Sequence, residues 1–483
     1  MRSRRIFPSS ALSAGLLVCY LFIFLTVNLL HRTPVAGYET DGVDFMLRAR
    51  SIPLGRFVPP DYGTTSTAIY ALWLVNRVVP DVFTASKILA GLSGALFLLG
   101  AIRLARDFSE RTALLTGILL LASPWFLFYS NSCMSDLLAA AVVTLLIVQR
   151  NNLVAGALLA GLAWGIRPVT IVFLPILLPA VLKSPGHRLR RACFALTAFI
   201  AGTMPQLLAS WRYYGDPFYS ENWRNIAALI RPAEQVDRMH RFLELPAYDL
   251  LRILSIWLKR IFGDTPEQTV HVIYGSAAFA IPGAVLLWNL KDEERLTRRI
   301  WLAVSVLYIA VIQLTWNMEL RYYLPVLPVL VIAAAFGLEY ICGSRRTLYF
   351  TTAAFLIVTT AAAGVSGTAR LLRLQYPELK LAGDYIKERP QAAGTVLAST
   401  LQSIFYSERS GNLLEELAPE DRNSLAATID ARRVRWIVAD NRLAKEVPSL
   451  TWLDDEALTH AHFPDWKAIS FGGDLHVLVW EIP

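Results

Sequence analysis

Charged side chains are scarce in this chain. Only 17% of its 483 residues are charged, whereas 55% are hydrophobic and the mean hydropathy is +0.43. Because a soluble globular domain carries about 25% charged residues, this composition excludes an ordinary soluble protein and indicates a membrane protein with many spans.

Signals for metals and disulfides are missing as well. The four cysteines lie in or beside different apolar runs and form no CxxC pair, and His31, His240 and His271 are scattered along the chain. The sequence therefore predicts neither a disulfide framework nor a histidine or cysteine metal centre. No internal repeat of about 20–50 residues is evident, which argues against a repeat architecture.

The distribution of basic residues predicts the topology. The net charge is +8, but the lysines and arginines form five short clusters between apolar runs, and they do not form one patch that could bind nucleic acid. If every cluster is cytoplasmic, as the positive-inside rule favours, the chain begins inside and ends outside. Eleven spans are then predicted, near residues 11–30, 84–105, 112–130, 136–149, 153–166, 169–182, 192–210, 270–290, 300–316, 324–342 and 347–366.

Residues 153–182 fit either one long helix or two short ones. We expect two, with a break at Arg167-Pro168, because proline interrupts helices and because the split keeps every later basic cluster inside. Spans of about fourteen residues are short for a bilayer core of roughly 30 Å, so they should tilt or be buried among other helices.

The composition also predicts two domains. Residues 1–368 form the transmembrane domain, which includes a long first outer loop at 31–84. From residue 369 onward charges become frequent, and short apolar runs such as VRWIVAD alternate with helix-like polar segments. Residues 369–483 are therefore predicted to form a small water-soluble α/β domain on the outer side.

Ionisable residues gather at the predicted outer face. An Asp or Arg at a helix centre costs roughly 2.5–3.5 kcal/mol on insertion scales, so ionisable residues near a membrane are functional candidates. The first loop contains YETDGVDFMLRARS, the fourth span begins near Asp136, and the ninth span is followed by WNMELRYYLPVLP. The candidates in these segments are Asp41, Asp44, Arg48, Arg50, Asp136, Glu319, Arg321 and Tyr322; Arg167 joins them at the break between the short spans.

Each candidate also has a purely structural interpretation. The acidic loop could simply be solvated, Asp136 could be a helix N-cap, and Arg321 could be an interfacial arginine in an aromatic belt. Arg167 could do no more than close the hairpin between the two short helices. Asp44 and Arg48 are spaced to form an ion pair if the loop is helical there.

Five segments carry a resemblance to a known family. In chain order they are DGVDFMLRARSI, SERTALLTGILLLASPWFLFYSNSCMSD, LVAGALLAGLAWGIRP, WRYYGDPF and RYYLPVLPVL. Their order and spacing, over about residues 1 to 345, resemble the GT-C membrane glycosyltransferases, in particular the protein O-mannosyltransferases and lipid A aminoarabinose transferases. Two positions depart from the family pattern: Gly42 stands where a second acidic residue is common, and DYGTTSTAIY stands where many members have Lys-Pro-Pro.

The resemblance implies a mainly α, polytopic GT-C fold and a reaction. Family members transfer a sugar from a polyprenyl phosphate to a hydroxyl group, with inversion at the anomeric carbon. This reaction needs a carboxylate base, a cation for the departing phosphate and a groove for the lipid. We assign Asp41 as the base and Arg321 as the phosphate ligand, with Tyr322 as a further hydrogen-bond donor.

The remaining candidates have less definite roles. Asp136 could orient the acceptor, pair with Arg48 or Arg50, or share a divalent cation with Asp41, and Arg167 could reach the phosphate. No cofactor is required, and Mg or Mn is a possible one. The expected partners are a polyprenyl-phosphate-linked sugar, a hydroxyl acceptor on a glycan, lipid or protein, and the lipid bilayer of the plasma (inner) membrane, with no nucleic acid.

Two other functional classes stay open at this point. A lipid flippase or secondary transporter also has many spans, but its ionisable residues more naturally lie at the bilayer midplane, within inverted repeats. A non-catalytic lipid-binding scaffold is the other alternative, and the two departures from the family pattern favour it slightly.

Overall fold

The protein is described from a computed structural model. It describes residues 11–30, 40–52, 66–132, 134–182, 188–218, 251–260, 273, 276–291, 294–313, 320–343, 345–373, 376–389, 394–414, 422–441, 443, 447–472 and 475–483. The side chain of Asp41 and all of Glu319 lie outside this set, although Asp41 belongs to a described helix.

The chain divides into two compact units. One consists of Met1–Asn28 and Arg48–Arg370, and the other of Leu29–Leu47 and Leu371–Pro483. The composition places a domain boundary near residue 368, whereas the packing also assigns part of the first predicted outer loop to the C-terminal unit.

The first unit is built from helices. The described α-helices are α1 (Ala11–Leu30), α2 (Thr40–Ser51), α3 (Ser66–Val78), α4 (Val82–Ala105), α5 (Glu110–Ala122), α6 (Pro124–Ser130), α7 (Ser135–Val148), α8 (Leu153–Ile166), α9 (Leu178–Leu182), α10 (Arg188–Tyr214), α11 (Ala277–Asn289), α12 (Arg295–Ile312), α13 (Leu327–Cys342) and α14 (Arg346–Arg373). Two 3₁₀ helices, Pro168–Leu177 and Leu320–Tyr323, lie among them, and residues 251–260 are also helical.

Each of the eleven predicted spans overlaps a described helix or pair of helices. Among the described residues, four helices are long and apolar enough to cross a membrane, or five if the pair α5 and α6 forms one bent span. That pair bends by 65° between Ala122 and Pro124, because the residue before a proline is held in an extended conformation. The count of eleven crossings stays a prediction.

The predicted break at Arg167-Pro168 is present. Helix α8 ends at Ile166, Arg167 is extended with φ −146° and ψ 105°, and the 3₁₀ helix begins at Pro168. A methyl group at Gly156, early in α8, would lie 2.5 Å from Cδ2 of Leu177, at the end of the 3₁₀ helix. The two segments therefore form an antiparallel hairpin and do not continue as one helix.

Glycines bring two pairs of helices into backbone contact. A Cβ atom at Gly161 of α8 would lie 3.1 Å from Cα of Gly202 in α10. In the second pair, a Cβ atom at Gly283 of α11 would overlap the carbonyl oxygen of Ala333, and one at Gly337 of α13 would lie 2.5 Å from the carbonyl oxygen of Phe279. Small residues at such crossings are how helices pack closely in a bilayer.

An ion-pair cluster joins three of the segments that connect helices in this unit. Arg150, which follows α7 and is nearly buried, lies 2.9 Å from Asp107 and 3.1 Å from Glu294. Burial by itself raises the pKa of the Asp107 carboxyl, but the guanidinium groups of Arg150 and Arg103 outweigh it, so the pKa lies below its usual value. This cluster lies at the C-terminal end of α7.

The second unit contains a five-stranded sheet. Its α-helices are α15 (Pro377–Lys387), α16 (Leu401–Ser407), α17 (Arg422–Arg432) and α18 (Glu456–His462), with a 3₁₀ helix at Pro448–Asp454; its strands are β1 (Thr395–Ala398), β2 (Gly411–Leu413), β3 (Val434–Asp440), β4 (Lys467–Phe471) and β5 (Val477–Glu481). The strand order is β2-β1-β3-β5-β4, in which β2, β1 and β3 are parallel and β5 and β4 are antiparallel to their neighbours. The α/β class predicted for the C-terminal segment is confirmed.

Alternating side chains bury the two faces of the sheet. In β1, Leu397 belongs to one hydrophobic cluster, and Val396 and Ala398 belong to the other. Leu47 of α2 packs against the second of these clusters. The helix that follows the first span is therefore part of the core of the C-terminal unit, which the sequence analysis did not predict.

The glycine crossings give a prediction about stability. Gly283→Ala should destabilise the protein by about 1–3 kcal/mol, because the added methyl group must push apart two backbones. The matched control is Gly15→Ala in α1, where a Cβ atom would meet nothing within 4 Å. Thermal unfolding in detergent should show a lower midpoint for Gly283→Ala and no loss for Gly15→Ala; equal midpoints would contradict the close crossing.

Candidate functional site

The candidate site is assembled at the N-terminal end of α7. Asp136 lies in the first turn of that helix, and Arg167 lies at the break after α8. Arg321 and Tyr322 lie in the 3₁₀ helix that precedes α13. Four sequence candidates thus come from three separate parts of the first unit, and packing brings them together.

Asp136 lies against both arginines. Its Oδ1 is 2.8 Å from Nη2 of Arg167, and its Oδ2 is 4.0 Å from Nε of Arg321. The exposed fractions are 4% for the Asp136 side chain, 13% for Arg167 and 8% for Arg321, so the three charges are largely removed from solvent. The shorter contact is a direct ion pair, and the longer one leaves Oδ2 of Asp136 without a hydrogen bond.

An aromatic ring and a thioether complete the surroundings of the arginines. The guanidinium carbons of Arg167 and Arg321 each lie 5.3 Å from the centre of the Tyr322 ring, so one ring contacts both cations. Nη1 of Arg321 donates to Sδ of Met134 at 3.8 Å. These contacts hold two like charges near one carboxylate in a nearly dry environment.

The chemistry of this group suits an anion. A phosphate oxygen is a suitable partner for a guanidinium group, because the two form charge-assisted and often bidentate hydrogen bonds. Two guanidinium groups that lie side by side around Asp136 therefore make this group a candidate for binding a phosphate.

The other predicted site residues are less completely described. Asp44, Arg48 and Arg50 lie on α2, which is helical as the predicted Asp44–Arg48 pair requires. That pair stays a prediction, as does the role of Asp41, and Glu319 lies outside the described residues. Within the described part of the chain, no three His, Cys, Asp or Glu side chains are grouped to hold a metal ion.

One structural interpretation of Asp136 is wrong. The N-cap of α7 is Met134, and no side chain caps the helix there. Asp136 is inside the helix and pairs with Arg167, a partner that the sequence analysis did not consider. The available signal was that both residues lie at the predicted ends of neighbouring short spans.

A second polar group was missed entirely. Lys87, in α4, is buried and donates to the backbone oxygen of Asn131, whose Oδ1 accepts a hydrogen bond of 2.6 Å from Asn28. The ring of Phe83 lies 5.2 Å from the ammonium group of Lys87. The sequence did contain a signal for this group, because a lysine within an apolar helix is unusual. It was overlooked because a single charge does not prevent a segment from being predicted as a span.

Comparison with solved structures identifies proteins with a similar fold. The chain is similar to ArnT from Cupriavidus metallidurans bound to undecaprenyl phosphate, with a TM-score of 0.60, 13% identity and coverage of 98% of both chains. It is also similar to the archaeal oligosaccharyltransferase AglB from Archaeoglobus fulgidus in complex with an inhibitory peptide and a dolichol-phosphate, with a TM-score of 0.54, 11% identity and coverage of 90% of this chain and 70% of that chain.

This chain has the GT-C fold. The apo structure of ArnT from the same bacterium agrees, with a TM-score of 0.59, 14% identity and coverage of 96% of this chain and 98% of that chain. No protein-family model matches the sequence, and no curated protein sequence does. The GT-C fold predicted from the five segments is therefore confirmed by structure alone.

The Asp136 group gives a prediction about stability within the GT-C fold. Asp136→Asn should destabilise the protein by about 3–5 kcal/mol, because breaking a buried ion pair by removing the charge of one partner is strongly destabilising. The control is Asp384→Asn, which removes a half-exposed carboxylate that pairs with Lys380 four residues earlier and should change stability by about 1 kcal/mol or less. Thermal unfolding in detergent checks both, and equal midpoints for the two variants would contradict the buried pair.

Proposed function

We propose that this chain is an integral membrane glycosyltransferase that moves a sugar from a polyprenyl-phosphate donor to a hydroxyl acceptor, with inversion. The observation that carries the proposal is the buried group of two arginines and one aspartate at the N-terminal end of α7. The GT-C fold supports it, because the similar structures are of ArnT with undecaprenyl phosphate and AglB with a dolichol-phosphate.

The two arginines suit the phosphate of the donor. A guanidinium group offers parallel N–H donors that match two phosphate oxygens, and it stays charged in an apolar environment. Arg321 is the principal ligand, Arg167 adds a second positive charge, and Tyr322 can donate from its hydroxyl group. As the bond to the anomeric carbon breaks, negative charge grows on the phosphate, and the arginines stabilise it.

Asp136 has a positioning role in this proposal. Its contacts are with the two cations, so it limits their repulsion and fixes the direction of Arg167. Because its two oxygens face the guanidinium groups, the proposal assigns the base to another carboxylate.

The base is assigned to α2. Asp41 would accept the proton of the acceptor hydroxyl as that oxygen attacks the face of the sugar opposite the phosphate, which inverts the anomeric carbon. The phosphate leaves as an anion, so no general acid is required. Mg or Mn stays a possible addition at the carboxylates of α2, and no step of the mechanism depends on it.

The surroundings follow from the same proposal. The protein would be a multi-pass protein of the plasma (inner) membrane, with its site and C-terminal unit outside. Its partners would be the lipid-linked sugar and an acceptor glycan, lipid or protein.

Substitution of Arg321 tests the phosphate site. Arg321→Lys should weaken binding of undecaprenyl phosphate by about tenfold or more, which corresponds to about 1.4 kcal/mol or more. The reason is that the ammonium group of lysine is a point charge and cannot make the bidentate contact that a guanidinium group makes with a phosphate. Titration of the lipid into the purified protein, followed by native mass spectrometry, measures this.

The matched control is Arg77→Lys. Arg77 is an exposed arginine in α3 that lies 5.0 Å from the centre of the Trp73 ring, so it represents an interfacial anchor. Its variant should bind the lipid normally. Equal binding by Arg321→Lys and Arg77→Lys would contradict the phosphate contact and favour the interpretation of Arg321 as an interfacial anchor.

Substitution of Asp41 tests the base. Asp41→Asn keeps the size and most of the hydrogen bonding of the side chain but removes its ability to accept a proton. Positioned general bases contribute about 10²–10⁴-fold, so turnover should fall by that factor while undecaprenyl phosphate still binds. Release of undecaprenyl phosphate from a lipid-linked sugar in the presence of acceptor measures turnover.

The control for this change is Asp81→Asn. Asp81 caps α4 by accepting a hydrogen bond of 2.8 Å from the Thr84 backbone, and Asn caps helices equally well. If Asp41→Asn retains more than about half of the wild-type turnover, the general-base assignment is wrong. A loss in Asp44→Asn alone would then move the assignment to Asp44.

A further inference from the structure

A partly open cavity lies among three helix ends of the first unit. It is bounded by residues at the C-terminal ends of α4 and α7 and in the N-terminal part of α12. Its volume is about 90 Å³. Because roughly 10–15 Å³ is enough to hold one water molecule, this space admits a group of several atoms.

The cavity is separate from the arginine group around Asp136. Asp136 is in the first turn of α7, whereas Arg150, which lines the cavity, follows the last turn of the same helix. An α-helix rises about 1.5 Å per residue, so these two residues are roughly 20 Å apart. The predicted topology has Asp136 at the outer face, and it therefore predicts that the cavity is at the cytoplasmic face.

Charged side chains of both signs line the cavity. Asp107 follows α4, Glu294 precedes α12, and Arg298 lies in the first turn of α12. Arg150 lies between the two carboxylates and contacts both. The side chains of Asp107 and Glu294 are 24% and 25% exposed, so a ligand in the cavity can reach them without any rearrangement of the helices.

Backbone oxygens hold the two arginines of the cavity in position. Nη1 of Arg150 donates to the carbonyl oxygen of Ile147 at 3.1 Å. Arg298 donates to the carbonyl oxygens of Leu287 and Leu290, at 3.3 Å and 3.0 Å. Nε of Arg150 has no hydrogen-bond partner, and a phosphate oxygen would provide one.

The rest of the lining is apolar and adjoins a surface suited to lipid. The apolar lining residues are Leu104, Phe108, Ile147 and Trp301. At the same helix ends, Leu296 of α12 and Trp288 of α11 are exposed, and the guanidinium carbon of Arg299 lies 5.2 Å from the centre of the Trp288 ring. Tryptophan and arginine in such positions are typical of a membrane interface.

We propose that the cavity binds the headgroup of phosphatidylethanolamine from the cytoplasmic leaflet. The primary ammonium group donates hydrogen bonds to the carboxylates of Asp107 and Glu294, and the phosphate lies against Arg150 and Arg298. The acyl chains extend over the neighbouring apolar surface. This inference does not depend on the proposed function, because the cavity is at the other end of α7.

Related compounds each lack one of these contacts. The ammonium group of phosphatidylcholine carries methyl groups in place of its hydrogens, so it cannot donate to Asp107 or Glu294. Phosphatidylglycerol has the phosphate but no cation. Free phosphoethanolamine has both charges but no acyl chains. Together these compounds separate a lipid headgroup site from a site for any anion or for a soluble amine.

Native mass spectrometry of the delipidated full-length protein in detergent tests this inference. The probes are phosphatidylethanolamine, phosphatidylcholine and phosphatidylglycerol with the same acyl chains, together with free phosphoethanolamine. Phosphatidylethanolamine should bind at least about tenfold more tightly than each of the others, because only this lipid makes charge-assisted hydrogen bonds at both ends of its headgroup and also has acyl chains.

A change of one carboxylate tests the contact with the ammonium group. Glu294→Gln keeps the size of the side chain but removes its charge, so the preference for phosphatidylethanolamine over phosphatidylcholine should fall by about tenfold. The matched control is Glu110→Gln. Glu110 is an exposed carboxylate at the start of α5, it pairs with Arg106 at 3.1 Å, and it does not line the cavity. The control should keep the preference.

A second variant separates lipid binding from folding. Thr297 lines the cavity, and Thr297→Met fills part of the space without removing a charge. This variant should lose the preference for phosphatidylethanolamine while its thermal midpoint, measured without lipid, stays at or above that of the wild-type protein. If the loss of the contact with Arg150 prevents Glu294→Gln from folding, Thr297→Met decides the question.

The remaining outcomes would overturn the inference. It is wrong if phosphatidylethanolamine binds no more tightly than phosphatidylcholine or phosphatidylglycerol, or if folded Glu294→Gln or Thr297→Met keeps the preference. Equal binding of free phosphoethanolamine would assign the cavity to a soluble compound. An equal loss in Glu110→Gln and Glu294→Gln would mean that the lipid binds elsewhere. The proposed function is tested separately, by the binding of undecaprenyl phosphate to the arginine group.

Discussion

The ion pair between Asp136 and Arg167 is the constraint on which the arrangement of the first unit depends. Both residues are nearly buried and lie 2.8 Å apart. In an apolar environment either charge alone would be expensive, so the helices that carry them must keep them together. The pair therefore fixes the break after α8 against the start of α7. Arg321 approaches the remaining oxygen of Asp136 from a third segment, so that two guanidinium groups lie beside one carboxylate.

Much of the fold of the first unit could be predicted from the sequence. Long apolar runs bounded by basic clusters identified the helices, and the proline after Arg167 marked the turn of the hairpin. The assignment of α2 to the C-terminal unit could not be predicted, because it depends on a contact between Leu47 and a cluster formed more than 300 residues later in the chain. A loop composition that looks polar does not reveal which core its few apolar residues join.

The site was predictable in its members but not in its pairings. Position at the predicted outer edge of the membrane singled out Asp136 and Arg321, since ionisable residues near a membrane are often functional. Their partners depend on how helices that are distant in sequence cross. The glycines that permit these close crossings cannot be distinguished in the sequence from other small residues of apolar helices. Met134 was missed because a thioether beside an arginine leaves no pattern in the sequence.

The surroundings of the arginine group determine how strongly it can hold an anion. Guanidinium groups among apolar helices attract an anion more strongly than the same groups in water, because the interaction between charges strengthens as water is removed. Asp136 contacts both guanidinium groups at the N-terminal end of α7 and offsets their mutual repulsion. The same ion pair that holds the break after α8 against α7 therefore also keeps together the two cations that the proposed function assigns to the phosphate of the donor.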